Sequence, residues 1–370
     1  PISVWGHANR GVEVTVNLNG ETKTAVANNL QQWSVSFPAR GASAEPITLD
    51  IQSDHEFNRV VRDILIGDVW YLTGSTLLTS EWAYDQRDPD ATRPAAMPLV
   101  REFKRKTKAS SFPTPRKQRF ETGSGKYRSS WLTADYSTEG NGVTMFAYQF
   151  AKSLDREGVP QGFVTMSSGQ GGRHRQLASP LSWTSFAGVK SVGDPAFKAR
   201  LDELFLQCPN TSVAQRAVAQ HIGEVKEFVK NITGAAGRGA DLSEGIALAA
   251  PAFPEAGKNG TVPPDTIPTY TYNWCVSPLT PMGVAGVIWI PSESNLGETP
   301  ADYAAEMEIY ASSLAPTYGQ DKVQFLYAQP AGPLVDGITA PEIPGAKSIT
   351  FDEWPKSLKD IAAEMAKLAE

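Results

Sequence analysis

Two hydroxyl side chains follow an apolar run in "GDVWYLTGSTLLTSEW" (Gly67 to Trp82): Ser75 and Thr76, directly after Gly74. A strand that ends in glycine and then presents a hydroxyl can hold a nucleophile, provided a base stands close enough to take its proton. The chain has four histidines, so a base can be sought by elimination. His7 and His55 fall in a strand-rich N-terminal stretch, and His221 falls inside a long helical pattern at its surface or boundary. His174 stands in "GGRHRQ" between Arg173 and Arg175, whose charges disfavour its protonation and suit it to act as a base. The same three residues also fit a solvent-facing basic loop. They fit a polysaccharide lyase as well: Arg173 and Arg175 would neutralise a uronate, His174 would take its α-proton, and a tyrosine would act as acid.

Other chemistries find less support. No paired histidines at helical spacing and no cysteine pair suggest a metal site, and the glycine-rich "SSGQGG" lacks the lysine and serine of a phosphate loop. No cofactor is therefore expected. The stretch "REFKRKTKASSFPTPRKQRF" (Arg101 to Phe120) carries eight basic residues and one acidic, which fits contact with an acidic glycan or a protein surface. It fits equally an edge strand and loop whose lysines block edge pairing. A net charge of −6 and the lack of a binding motif argue against nucleic acid.

These residues need a scaffold, and 370 residues suffice for one large domain plus a small one. No apolar run reaches the length of a membrane span. The chain opens on Pro1 in mid-pattern with no signal peptide, so a processed or trimmed product is expected. Cys208 and Cys275 are too few for a disulfide scaffold; they fit either one bridge or two buried thiols.

In residues 1–64 short alternating strands surround "LNGE", a strong hairpin signal because Asn and Gly tolerate positive φ. This reads as a small β-sandwich-like module. From residue 65 to 370 buried strands ("VWYLTG", "QGFVT", "GVIWI", "KVQFLYAQPA") alternate with helical patterns, which implies a largely parallel sheet. "TSVAQRAVAQHIGEVKEFVKNI" reads as a helix with Val213, Ala217, Ile222, Val225 and Phe228 on its apolar stripe. Polar loops at the carboxyl ends of such strands are where these sheets place sites.

Four stretches in order carry a family likeness: "PISVWGHANRGVEVTVNLNGETKTAVA", "DILIGDVWYLTG", "PTYTYNWCVSPLTPMGVAGVIWIPSESN" and "FDEWPKSLKDIAAEMAKLA". Together they resemble the sialate O-acetylesterase family, a branch of the SGNH hydrolases, over nearly the whole chain. The resemblance implies a flavodoxin-like three-layer α/β/α hydrolase domain with a small N-terminal β-sandwich module. It also implies serine esterase chemistry on carbohydrate, and a secreted, periplasmic or cell-surface location.

Residue by residue, the resemblance is incomplete. The family's Gly-Gln-Ser-Asn falls on Gly74-Ser75-Thr76-Leu77, so Thr76 stands at the serine and Ser75 at the glutamine. Asp352 matches the triad aspartate, but the histidine position holds Trp354, whose indole only donates. Asn295 and Glu293 match "GESN", and Gly171 matches a backbone oxyanion donor, with Gly169 as second choice. Trp82, Trp183 and Trp354 fall near the implied pocket, where aromatic faces stack on sugars. The expectation is a pseudoenzyme: a non-hydrolytic protein that binds carbohydrate or assembles with subunits or with itself. The alternative is an active enzyme, either an O-acetylesterase using Thr76 or an acidic-polysaccharide lyase using His174.

Overall fold

In a computed structural model of the chain, the described residues are 1–53, 57–74, 78, 92–104, 130–137, 142–165, 179–207, 212–239, 268–269, 271–291, 300–330, 342–351 and 358–370. The chain divides into two compact units. One comprises Pro1–Thr107, Arg119–Leu177 and Leu279–Glu370; the other comprises Lys108–Gln118 and Ala178–Pro278.

The first unit opens with six strands: β1 (Ile2–His7), β2 (Glu13–Leu18), β3 (Glu21–Val26), β4 (Gln32–Phe37), β5 (Ser43–Ser53) and β6 (Phe57–Ile66). They form two antiparallel sheets, β1–β4 and β3–β2–β5–β6. The β2–β3 turn is the expected one: Asn19 and Gly20 both take positive φ (51° and 92°). Such a turn matches the twist of the strands it joins. Asn17 Oδ1 accepts the Gly20 N–H at 2.9 Å and closes it. Alternation then does the packing. Val14, Val16 and Leu18 of one sheet and Trp33, Val35 and Phe37 of the other bury into a single core.

The rest of this unit is built on β7 (Asp68–Gly74), β8 (Met97–Lys104), β9 (Ser130–Ala134), helix α1 (Met145–Leu154) and β10 (Gln161–Thr165). After the second unit the chain returns through β11 (Gly286–Ile290), β12 (Gln324–Pro330) and β13 (Lys347–Phe351). These strands make one seven-stranded sheet in the order β13–β12–β11–β7–β10–β8–β9. Every neighbouring pair is parallel except β8–β9. The continuous apolar runs of β7 and β11 are explained by burial on both faces.

On one face, Trp70, Leu72, Phe163, Ile288 and Ile290 join residues of α1 and of the C-terminal helix in one core. Trp70 and Phe150 rings lie 5.1 Å apart. On the other face, Tyr310, in the helix Pro300–Tyr318, packs against Trp289 (5.3 Å) and Phe325 (5.7 Å).

The second unit is helical among its described residues: a 3-10 turn at Pro180–Trp183, α2 (Phe186–Lys190), α3 (Pro195–Gln207) and α4 (Ser212–Gly237). A π turn at Tyr272–Val276 follows. Thr271 is tied to Ser182 by side chain (2.7 Å) and backbone (3.1 Å). The helices completing the first unit are α5 (Pro300–Tyr318) and α6 (Leu358–Ala369).

Three expectations are corrected. The stripe of α4 does not include Ile222, which is 48% exposed; among the described side chains Val218, His221, Val225, Phe228 and Ile232 are half-buried at three-four spacing, so Val225 and Phe228 stand as expected and His221 takes the place of Ile222. Arg101–Lys104 is not an edge, because β8 is paired on both sides, by β10 and β9. Trp183 is 1% exposed, so its ring faces are packed rather than open to a sugar. Cys275 is buried, while Cys208, His55 and Trp82 lie outside the described residues.

Candidate functional site at the carboxyl edge of the sheet

Parallel strands all end at one edge, and an open α/β sheet binds ligands there, where the strand order reverses. The chain runs from β7 outward to β8, returns to β10, and later crosses to β11 on the other side of β7. The carboxyl ends of β7 and β11 thus flank the switch point, with Gly74 paired opposite Ile290.

Gly74 is required by that pairing. Its φ is +94°, and a Cβ there would collide with the carbonyl oxygen of Ile290. Any larger residue would have to move a central strand. One residue earlier, Thr73 donates from Oγ1 to Ile288 O at 2.9 Å, and Tyr310 donates its phenol to Thr73 Oγ1 at 3.2 Å. All three groups are buried. Burial pushes the Tyr310 phenol well above its ordinary value, and the bond to Thr73 opposes this only in part. Tyr310 is therefore a neutral donor at ordinary pH, and the end of β7 is pinned from below. Beside it, Trp289 donates from Nε1 to Tyr303 OH at 3.1 Å.

The neighbouring root is β10, whose last residue, Thr165, donates to Glu102. Glu102 is fully buried and also accepts from Thr144 N (2.7 Å) and Thr144 Oγ1 (3.0 Å). Thr144 is the N-cap of α1, so one carboxylate ties β8, β10 and the start of a helix together. Sequence reasoning missed Glu102, Thr165, Thr73 and Tyr310. Their partners are far apart in the chain, and nothing local marks them.

The four candidate segments all leave from this edge. Ser75 and Thr76 follow β7 directly; Gly171, Arg173, His174 and Arg175 follow β10; Glu293 and Asn295 follow β11; Asp352 and Trp354 follow β13. These residues themselves lie outside the described ones, as does Gly169. Their roots do not. β10, β7 and β11 are adjacent, while β13 lies three strands from β7, roughly 14 Å at the usual spacing. Among the described residues, no group of three His, Cys, Asp or Glu side chains could hold a metal ion. No described helix is long and apolar enough to cross a membrane.

No family model and no curated protein matches the sequence. Among solved structures, the chain is similar to a carbohydrate acetylesterase from Xanthomonas citri. The TM-score is 0.62 at 21% identity, over 99% of this chain and 70% of that one. The two proteins share a fold: a large, mostly parallel sheet with helices, preceded by small antiparallel sheets.

Proposed function

We propose that this chain is a carbohydrate-related, esterase-like protein whose hydrolytic centre has been dismantled, so that it binds glycan without cleaving an ester. One observation carries the reading. The segments that resemble the SGNH loops depart from the carboxyl ends of β7, β10, β11 and β13 of one sheet. Within those segments the nucleophile position is Thr76 and the histidine position is Trp354. A methyl on the nucleophile restricts χ1, and an indole cannot accept its proton. Loss of either partner of a hydroxyl–imidazole couple removes most of the rate.

The likeness in fold to a carbohydrate acetylesterase supports the glycan class; fold alone does not give activity. The finer reading is a flavodoxin-like SGNH domain of sialate O-acetylesterase type, working outside the cytoplasm. It rests on the sequence resemblance.

The test is acetate release from p-nitrophenyl acetate and from acetylated sugars, run beside calorimetric titration with the same sugars. Binding without turnover is expected, and Trp354→Ala should weaken that binding. Turnover that disappears in Thr76→Ala would show an active esterase. Unsaturated uronate absorbance from an acidic glycan, lost in His174→Ala, would show a lyase.

A further inference from the structure

A cavity of about 360 Å³ lies at the opposite, amino edge of the sheet. It is lined by the end of β6 (Val61 to Leu65), the starts of β7 and β10, the middle of β8, and Trp131 and Thr133 of β9. That volume is in the range of small-ligand sites.

Its walls are built in an unusual way. Asp63, inside strand β6, takes φ +60°, where the pairing of β5 with β6 shifts register. Bulges of this kind re-aim side chains near sites. Arg101 holds Asp63 in place with two bonds, to its backbone oxygen (2.5 Å) and its carboxylate (2.8 Å). The Nε of Arg101 is left buried with no hydrogen-bond partner. Gln161 is 3% exposed, lines the cavity, and has an amide oxygen with no hydrogen-bond partner. Buried polar groups are nearly always satisfied, so two unpaired ones in one cavity wall suit a polar ligand there. A half-turn of the Gln161 amide presents either end to that ligand.

The third element is Trp131, 48% exposed on the edge strand. Its ring leans on Phe103 (5.4 Å) and covers Gly162, where a Cβ would lie 3.4 Å away. Packed from beneath, the indole is a rigid platform. The charged lining groups are Arg62, Arg101, Asp63 and Asp68. Arg101 is paired with Asp63, and Asp68 is paired with Arg156 outside the lining. Both lining carboxylates are thus paired, and an aromatic platform beside an unpaired amide oxygen and an unpaired guanidinium Nε suits an uncharged ring with hydroxyls on its rim and C–H bonds on its face.

We propose that this amino-edge cavity binds a neutral pyranose saccharide. Trp131 stacks on the ring, and Gln161 and Arg101 bind its hydroxyls. The site is separate from the carboxyl-edge reading and stands or falls independently of it.

The probes are cellotetraose, xylotetraose and mannotetraose, titrated to about 10 mM and followed by calorimetry and tryptophan fluorescence. At least one should bind, and Trp131→Ala should weaken it by about tenfold or more, the loss of one aromatic contact. Val61→Trp fills the cavity mouth from a half-exposed position and should do the same, so the question is decided even if Trp131→Ala fails to fold. No binding of any tetrasaccharide would overturn the proposal. So would binding that survives Val61→Trp, and if that binding is lost in Trp354→Ala, the sugar belongs to the carboxyl edge.

Discussion

Glu102 offers a sharp test of how the sheet is held. It is a carboxylate with no exposure in β8, one strand in from the sheet's edge, and its accepted bonds include a backbone N–H and two hydroxyls, from Thr144 and Thr165. Glu102→Ala removes all three acceptor contacts. The two threonine hydroxyls can rotate toward other acceptors, but the Thr144 N–H at the start of α1 cannot. A buried donor left unpaired costs about 1–3 kcal/mol, and bonds to a charged group contribute about 1.5–3 kcal/mol each. Removing a buried charge returns part of that. The net expectation is a loss of about 3 kcal/mol. Glu102→Gln should behave differently. Its amide oxygen can keep the Thr144 N–H, and its NH2 can donate to hydroxyls that switch from donor to acceptor. The expected loss is about 1 kcal/mol. At roughly 2–3 kcal/mol per molar urea, the alanine variant should lower the midpoint by about 1 M and the glutamine variant by a third of that. Since the chain holds two compact units, hydrogen exchange over Met145–Leu154 should accompany the urea curve and show which unit is affected. Equal losses in the two variants, within about 0.5 kcal/mol, would refute the argument. The carboxylate would then be a passenger in the sheet rather than its tie.

Two further outcomes follow from the floor of the carboxyl edge. Gly74→Ala should destabilise by more than about 2 kcal/mol, because left-handed backbone and a clash with Ile290 O act together; a urea midpoint within error of the parent would contradict this. Tyr310 and Tyr136 have phenols raised by burial above the ordinary 10.0, so the unfolded chain loses protons first as pH rises. Stability is thus full below pH 10 and falls above it. Tyr310→Phe should lose about 1 kcal/mol at neutral pH and show a shallower alkaline decline, read by thermal melts with phenolate absorbance.

How much of this was legible beforehand depends on the range of the signal. The β2–β3 hairpin, the buried strands β7 and β11 and the helices α1, α4, α5 and α6 were readable, because each is specified by residues within one element. Strands β9 and β13 were not, since SWLTA and KSITF mix polar with apolar residues over five positions and lack the continuous apolar run of the equally short β11. On the α4 stripe Val225 and Phe228 stand where expected, while His221 rather than Ile222 faces inward, a choice that apolar character alone does not make. Glu102 stood out only as the one acid in a basic run. Its partners lie 42 and 63 residues away, beyond any local pattern. The amino-edge cavity was invisible for the same reason: it is assembled from β6, β7, β8, β9 and β10 at once.

A layer of buried bonds holds the carboxyl edge. Thr73, Ile288, Tyr310, Glu102, Thr144 and Thr165 bond to one another beneath the strand ends. Gly74 belongs to this layer too, because its pairing with Ile290 leaves no room for a side chain. The floor of this edge is therefore set by bonds among buried strands and helices together with the close approach of Gly74 to Ile290.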